Sequence, residues 1–197
     1  MYMKKTLYPK TERVGAEKVT ITEKLDGSNL GIFKLNDEIY FAQRNHILKE
    51  SELTKQNAYK GLRQWAEDNC DELNHLIEGS CIFGEWIGMG KLKYRLDKRF
   101  YMFAKANVSE EFEANRINYN HELFIYPFDD MKIPNCIGVV PIVDEGAVIP
   151  TIAELDILYN NRIKLTHRSV EGLVVNFGNG IKKYVRMKNG KLEEHKS

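Results

Sequence analysis

Ile21-Thr22-Glu23-Lys24-Leu25-Asp26-Gly27-Ser28-Asn29 is the stretch around which the rest of the chain is organised. β-type residues run up to Lys24, an Asp-Gly turn follows, and β-type residues resume at Leu30, Ile32 and Phe33. The pattern predicts a lysine held at a strand end rather than loose on a surface. That placement suits a nucleophile, provided the amine can be made neutral. A free lysine titrates at about 10.4, so burial, a bound metal or nearby cations must favour its uncharged form. Lys-x-Asp-Gly also occurs in ordinary surface hairpins, and the remainder of the chain has to decide between the two.

The 197 residues are enough for one domain with a full core, or for a main domain with a short appendage. A net charge of +1 does not advertise a nucleic-acid binder, so any such role needs local basic patches. The three cysteines, Cys70, Cys81 and Cys136, lack metal-pair spacing and fit reduced thiols in a cytoplasm. Met1 to Pro9 has no apolar signal core and no stretch is long enough to span a bilayer, so a soluble protein without a membrane partner is expected.

Val19 to Arg44 reads as three strands separated by turns at Asp26-Gly27 and Asn36-Asp37, paired antiparallel because the links are short. Alternation brings Arg44 to the end of the third strand beside Lys24, either as a phosphate contact or as a solvated cation. From Ser51 to Ile77 the apolar period changes to three and four, which predicts one long or two short helices with Trp65 in the core and Gly79 as the stop. Cys81 to Gly88 is an apolar strand interrupted by Glu85. A buried carboxylate must face a cation, hydroxyl, metal or water; an outward-facing edge is the plain alternative.

Lys91 to Arg99 carries five basic residues against one acid, interleaved with Tyr94. Lys91, Lys93 and Arg95 are therefore candidates to grip a polyanion, or else a solvated face. Phe100 to Ala106 is a strand with Tyr101 and Phe103 on one face, one of them able to stack on a base. Glu110 to Phe124 reads as helical or irregular, Ile137 to Val143 as a short strand, and Thr151 with Glu154 as a capping box opening a helix. Glu171 stands at the mouth of an apolar strand. In the last strand, Ile181 to Lys188, Arg186 and Lys188 share a face as a clamp for phosphate oxygens, or as a basic edge.

Taken in order, Lys24-Leu25-Asp26-Gly27, Phe83-Gly84-Glu85-Trp86, Phe100-Tyr101-Met102-Phe103, Glu171-Gly172-Leu173-Val174 and Arg186-Met187-Lys188 resemble the collinear motifs of the covalent nucleotidyltransferases. That superfamily comprises ATP-dependent DNA ligases, RNA ligases and mRNA capping enzymes. DNA ligases and capping enzymes typically carry arginine five residues after the reactive lysine. Asn29 at that place, and Arg44 in Gln43-Arg44-Asn45, look like the RNA ligase 2 group instead.

The resemblance implies an α+β fold of twisted antiparallel sheets with flanking helices and a nucleotide between them. It implies a single adenylation domain over 1–197 without a C-terminal accessory domain. Lys24 would attack the α-phosphate of ATP and hold AMP, with Arg186 and Lys188 neutralising the phosphate. Glu23, Asn29 and Arg44 would contact the nucleotide, Arg44 also the substrate 5′-phosphate; Glu85 would bind ribose and Phe103 would stack on adenine. Asp26, Glu85 and Glu171 would partner Mg2+ or Mn2+. AMP would pass to an RNA 5′-phosphate, and a 3′-hydroxyl, in a nicked duplex, would displace it during RNA repair. An accessory protein or the Lys91, Lys93 and Arg95 loop would replace the missing domain, in a cytoplasm or a phage host's cytoplasm. The alternatives are a nucleotide-binding nucleic-acid-interaction protein, an adenylyltransferase that does not complete sealing, and a DNA ligase. Two departures stand out: Ala104 where the family carries an acid, and Arg186 where it carries lysine.

Overall fold

The computed structural model describes residues 18–44, 46–54, 58–88, 92, 94, 96–113, 116–119, 124–125, 132–177 and 180–186, with backbone alone over 107–125. The architecture is α+β, built on two antiparallel-dominated sheets. The smaller has β10 (Ile142–Gly146), β1 (Val19–Lys24), β11 (Gly172–Phe177) and β12 (Gly180–Val185) side by side, all antiparallel. Period-two alternation divides this sheet cleanly. Val19, Ile21, Leu173, Val175 and Tyr184 pack with Leu155 of α4 (Ile152–Thr166) on one face. Thr20, Thr22 and Lys24 are left to the other. Thr151 caps α4 as the sequence predicts, taking Glu154 N–H on its hydroxyl while the Glu154 carboxylate accepts from Thr151 N at 2.7 Å.

The larger sheet runs β5 (Ser80–Trp86), β2 (Ser28–Leu35), β3 (Glu38–Gln43), β4 (His46–Ile47), β7 (Arg116–Tyr119), β6 (Phe100–Glu113), β8 (Phe124–Ile125). β9 (Ile137–Val139) adds to β6 in parallel. β6 also pairs with β5 along Ser80 to Trp86, so the path returns on itself. Its outer face buries Leu30, Ile32, Ile82, Trp86, Phe100 and Met102 against α1 (Glu50–Thr54), α2 (Leu62–Asp68) and α3 (Cys70–Leu73), through Leu53, Leu62 and Leu73. Each such side chain, removed from water, contributes about 1.5–3 kcal/mol. Phe33, Leu35, Phe83, Ala104 and Ala106 fill the other face.

Several sequence expectations are corrected. β1 and β2 do not form a hairpin. β1 has β10 and β11 on its two edges and β2 has β3 and β5, so neither has an edge free for the other. Residues 25–27 therefore step from one sheet to the next, with Leu25 buried against Tyr101 and Val140. The Asn36-Asp37 hairpin does form, with φ of 52° and 60° as a two-residue primed turn requires. The helical stretch is three short helices, and α3 ends at Leu73; Gly79, at φ 71°, instead opens β5 and donates its N–H to Lys34 O. Glu110 to Phe124 is strand wherever it is described, which the β-formers Val108, Phe112, Ile117 and Tyr119 favour over helix.

The step between the sheets has no room for a side chain at Gly27, because a methyl group there would run into the Trp86 carbonyl and against the Glu85 side chain. Gly27→Ala is expected to destabilise the protein by about 1–3 kcal/mol, the usual range for overpacking, read as a lower denaturant midpoint at unchanged slope.

Candidate active site between the two sheets

The two sheets enclose a cavity of about 400 Å³, within the range of small-molecule sites. Thr20, Thr22 and Lys24 enter it from β1, Val174 and Asn176 from β11, and Ile181 and Lys183 from β12. Asn29, Arg44, Glu85 and Phe103 face it from the larger sheet. Apolar walls are thus supplied by both sheets, Phe103 on one and Val174 on the other.

Lys24 ends β1 opposite Gly172, and its ammonium is ion-paired with Glu171, both side chains about a quarter exposed (22% and 27%). Glu85 lies across the strand pair from Asn29 and accepts Gly27 N–H at 3.0 Å. Burial pushes its carboxyl up to about 7, and the negative charges of Glu171 and Asp26 push the same way; Lys24 and the Gly27 N–H oppose them. Asn29 is fixed twice: its carbonyl accepts from Tyr59 Oη at 2.9 Å and its Oδ1 from Arg44 N–H at 3.3 Å. That second contact holds Arg44 in a left-handed turn at φ 55°. Burial, with Glu85 and Glu52, pushes the Tyr59 hydroxyl up to about 12, so it stays a donor.

Four sequence expectations change on this geometry. Arg186 does not face the cavity. Tyr184 is committed to the α4 cluster, so alternation sends Arg186 the same way, where it pairs with Asp156 and donates from Nε to Tyr184 Oη at 2.9 Å. Lys183 is the β12 cation that lines the cavity. Glu23 borders the cavity but its carboxylate is fully enclosed on the opposite face, held by Arg162 at 2.6 Å and Arg168 at 2.5 Å. Asp26 is used in the loop: its carboxylate accepts Leu92 N–H at 2.8 Å and its own N–H donates to Tyr94 Oη at 2.7 Å. Asp26, Glu85 and Glu171 accordingly form no metal cage, and no group of three such ligands occurs among the described residues.

Two carboxylates, Glu85 and Glu171, do stand beside the cavity. They suit a divalent ion of the Mg2+ type, which takes one or two carboxylates and completes its shell with water and substrate phosphates. Lys91, Lys93, Arg95 and Lys188 lie outside the described residues. Lys183, Thr22 and Asn176 escaped the sequence reading, although Thr22 was recoverable as the residue two before Lys24 in a strand. The Arg162 and Arg168 partners of Glu23 lie more than a hundred positions away and left no local signal. No helix among the described residues is long and apolar enough to cross a membrane.

The Glu85 environment gives a pH signature. A carboxyl raised from 4.5 to about 7 in the folded protein binds more protons folded than unfolded between those values. Its contribution is fully present below the unfolded value and is lost as pH rises through about 7. Denaturant midpoints of wild type and Glu85→Gln, compared across that interval, are expected to show the wild type losing stability relative to the variant as pH rises.

The chain matches the RNA ligase family over residues 17–188. It is similar in structure to the Naegleria gruberi RNA ligase solved with pyrophosphate, at 21% identity and TM-score 0.56, over 86% of this chain and 50% of that one. A mutant of that ligase with ATP and manganese gives the same values. A mutant with AMP and manganese gives 20% identity and TM-score 0.55, over 86% and 50%. The chain therefore spans about half the length of these solved ligases, and the likeness gives the nucleotidyltransferase fold. No curated protein matches. With nearly the whole chain covered by the family match, the protein belongs to the RNA ligase family.

Proposed function

We propose that the protein is an ATP-dependent RNA ligase that adenylates itself on Lys24. The observation that carries this is the Lys24 amine at the edge of a nucleotide-sized cavity, ion-paired with Glu171 and facing Glu85, Phe103 and Val174. Phosphoryl transfer depends mostly on positioning and on neutralising charge, and the cavity is furnished for both. Phe103 and Val174 sandwich the adenine, and Glu85 accepts from the ribose. Lys183 takes the phosphate role that the resemblance assigned to Arg186, while Arg44, held by Asn29, contacts the nucleotide and the incoming 5′-phosphate.

The Lys24 ammonium must lose a proton before its nitrogen can attack. Glu171, hydrogen-bonded to it, is the nearest base. The nitrogen then bonds to the α-phosphorus as the bond to pyrophosphate breaks. A Mg2+ or Mn2+ ion, when bound beside Glu171 and Glu85, would supply positive charge at the leaving phosphates. AMP passes to an RNA 5′-phosphate, and a 3′-hydroxyl displaces it to join the strands.

Incubation with ATP and Mg2+ or Mn2+, followed by intact-mass measurement, tests the first step. Wild type is expected to gain one AMP, and none from GTP; Lys24→Ala is expected to gain nothing. Lys183→Ala is expected to slow attachment by about tenfold to a hundredfold, whereas Arg186→Ala loses stability through Asp156 and keeps its rate. AMP on a Lys24→Ala protein would refute the nucleophile, and reversible binding without a bond would favour a nucleotide-regulated binding protein. Nicked duplex RNA, nicked DNA and single-stranded RNA then distinguish sealing from bare adenylate transfer, and RNA from DNA.

A further inference from the structure

β1 shows Lys24 to the cavity and Glu23 to α4, and the two arginines that hold Glu23 are not equivalent. Arg162 sits within α4, where its Nε reaches Glu23 at 2.6 Å and its carbonyl receives the Thr166 hydroxyl at 2.8 Å. Arg168 sits between α4 and β11. Its guanidinium reaches Glu23 at 2.5 Å and also lies over the Tyr94 ring, 4.7 Å from the centroid. The Tyr94 hydroxyl accepts Asp26 N–H at 2.7 Å. Arg168 is therefore in contact with the residue before Lys24 and, through one aromatic ring, with the backbone two residues after it.

We infer that Arg168 is a positioning residue for Lys24, clamping the chain on both sides of the amine through Glu23 and through Tyr94 and Asp26. Only a planar guanidinium can donate in its plane to a carboxylate while stacking on a ring with its face. Its surroundings favour the arrangement. Arg168 is 16% exposed and Glu23 not at all, so the ion pair between them is largely shielded from water. Burial, aided by Glu23, Asp26 and Glu171, pushes the Tyr94 hydroxyl well above its ordinary value and keeps it protonated. The consequence for reaction is geometric, because an amine displaced by an ångström from its line of attack can cost a hundredfold in rate.

The inference rests on Lys24 being the nucleophile, so its test includes a measurement that does not need turnover. Hydrogen exchange is followed in the full chain for wild type, Arg168→Gln, Arg168→Lys, Tyr94→Phe and Arg162→Gln, beside single-turnover AMP attachment at varied ATP and thermal stability. In Arg168→Gln and Tyr94→Phe the Asp26 amide is expected to exchange about tenfold faster or more, with Thr20 to Thr22 unchanged. Attachment at saturating ATP is expected to slow by about tenfold or more, with the half-saturating ATP held within about twofold. Arg168→Lys, which keeps the charge but loses the stack, is expected to fall between. Arg162→Gln is expected to lose stability yet keep the Asp26 exchange rate and the attachment rate. Tyr94→Phe leaves both arginines on Glu23 and keeps the test decisive if Arg168→Gln does not fold.

Unchanged exchange at Asp26 would overturn the inference, as would equal slowing by Arg162→Gln, which would reduce the effect to a lost partner for Glu23. Faster exchange at Asp26 in a protein whose wild-type form takes no AMP on Lys24 would sink the nucleophile proposal and Arg168's catalytic consequence together.

Discussion

A carboxylate that cannot be left alone fixes the geometry of this protein. Glu23 is fully enclosed, and its charge is carried by two guanidiniums, Arg162 and Arg168, delivered from α4 and the segment after it. Removing one partner from a buried ion pair of this kind typically costs about 3–5 kcal/mol. That cost acts as a register lock. A slip of β1 by one residue would carry Lys24 into the apolar α4 face and Glu23 into the cavity, exchanging a satisfied pair for an uncompensated ammonium among Leu155, Leu173 and Val175. The side chain opposite the amine is thus what guarantees where the amine points.

The second constraint is the short passage from β1 to β2. Because both strands have both edges occupied, residues 25–27 must cross between sheets, and they do so pressed against the end of β5. Gly27 passes under the Trp86 carbonyl and gives its N–H to Glu85. The same crossing that spaces the two sheets therefore holds the most perturbed carboxyl of the cavity, beside the most sequence-evident lysine. Leu25 anchors the crossing from below by packing on Tyr101 and Val140. The cavity is the space left where two sheets, each complete in itself, are joined by a three-residue link.

Much of this was legible in the sequence, and the failures have a common cause. Lys24 at a strand end, Glu85 requiring a partner, Phe103 on a strand face and the Thr151-Glu154 cap follow from local rules of alternation, burial and capping. Which strand lies next to which does not. The Asp26-Gly27 turn has the residues of a hairpin, yet non-local pairing with β10 and β11 prevails over the short link. Arg186 fails for a related reason: alternation correctly put it opposite Val185, but which face looks into the cavity is decided by Tyr184 entering the α4 cluster. Asp26 meets Leu92 and Tyr94, partners that belong to a loop whose approach no local pattern specifies.

Charge balance gives the site its direction. Among the described residues the cavity gathers Lys24, Lys183 and Arg44 against Glu85, with Glu171 closing on Lys24. With Glu85 at about 7, burial and the neighbouring acids hold part of that carboxyl neutral near neutrality, so the cavity is more positive than a count of its residues suggests. On the proposed function, a polyphosphate in the cavity meets Lys183 and Arg44, whereas Lys24 stays bound to Glu171 until something competes for that carboxylate. A divalent cation arriving with the phosphates is such a competitor, because it prefers hard oxygen ligands. On the proposed function, the ion pair that holds the amine in place in the free protein is also what keeps it unreactive, and the substrate complex supplies the charge that separates them.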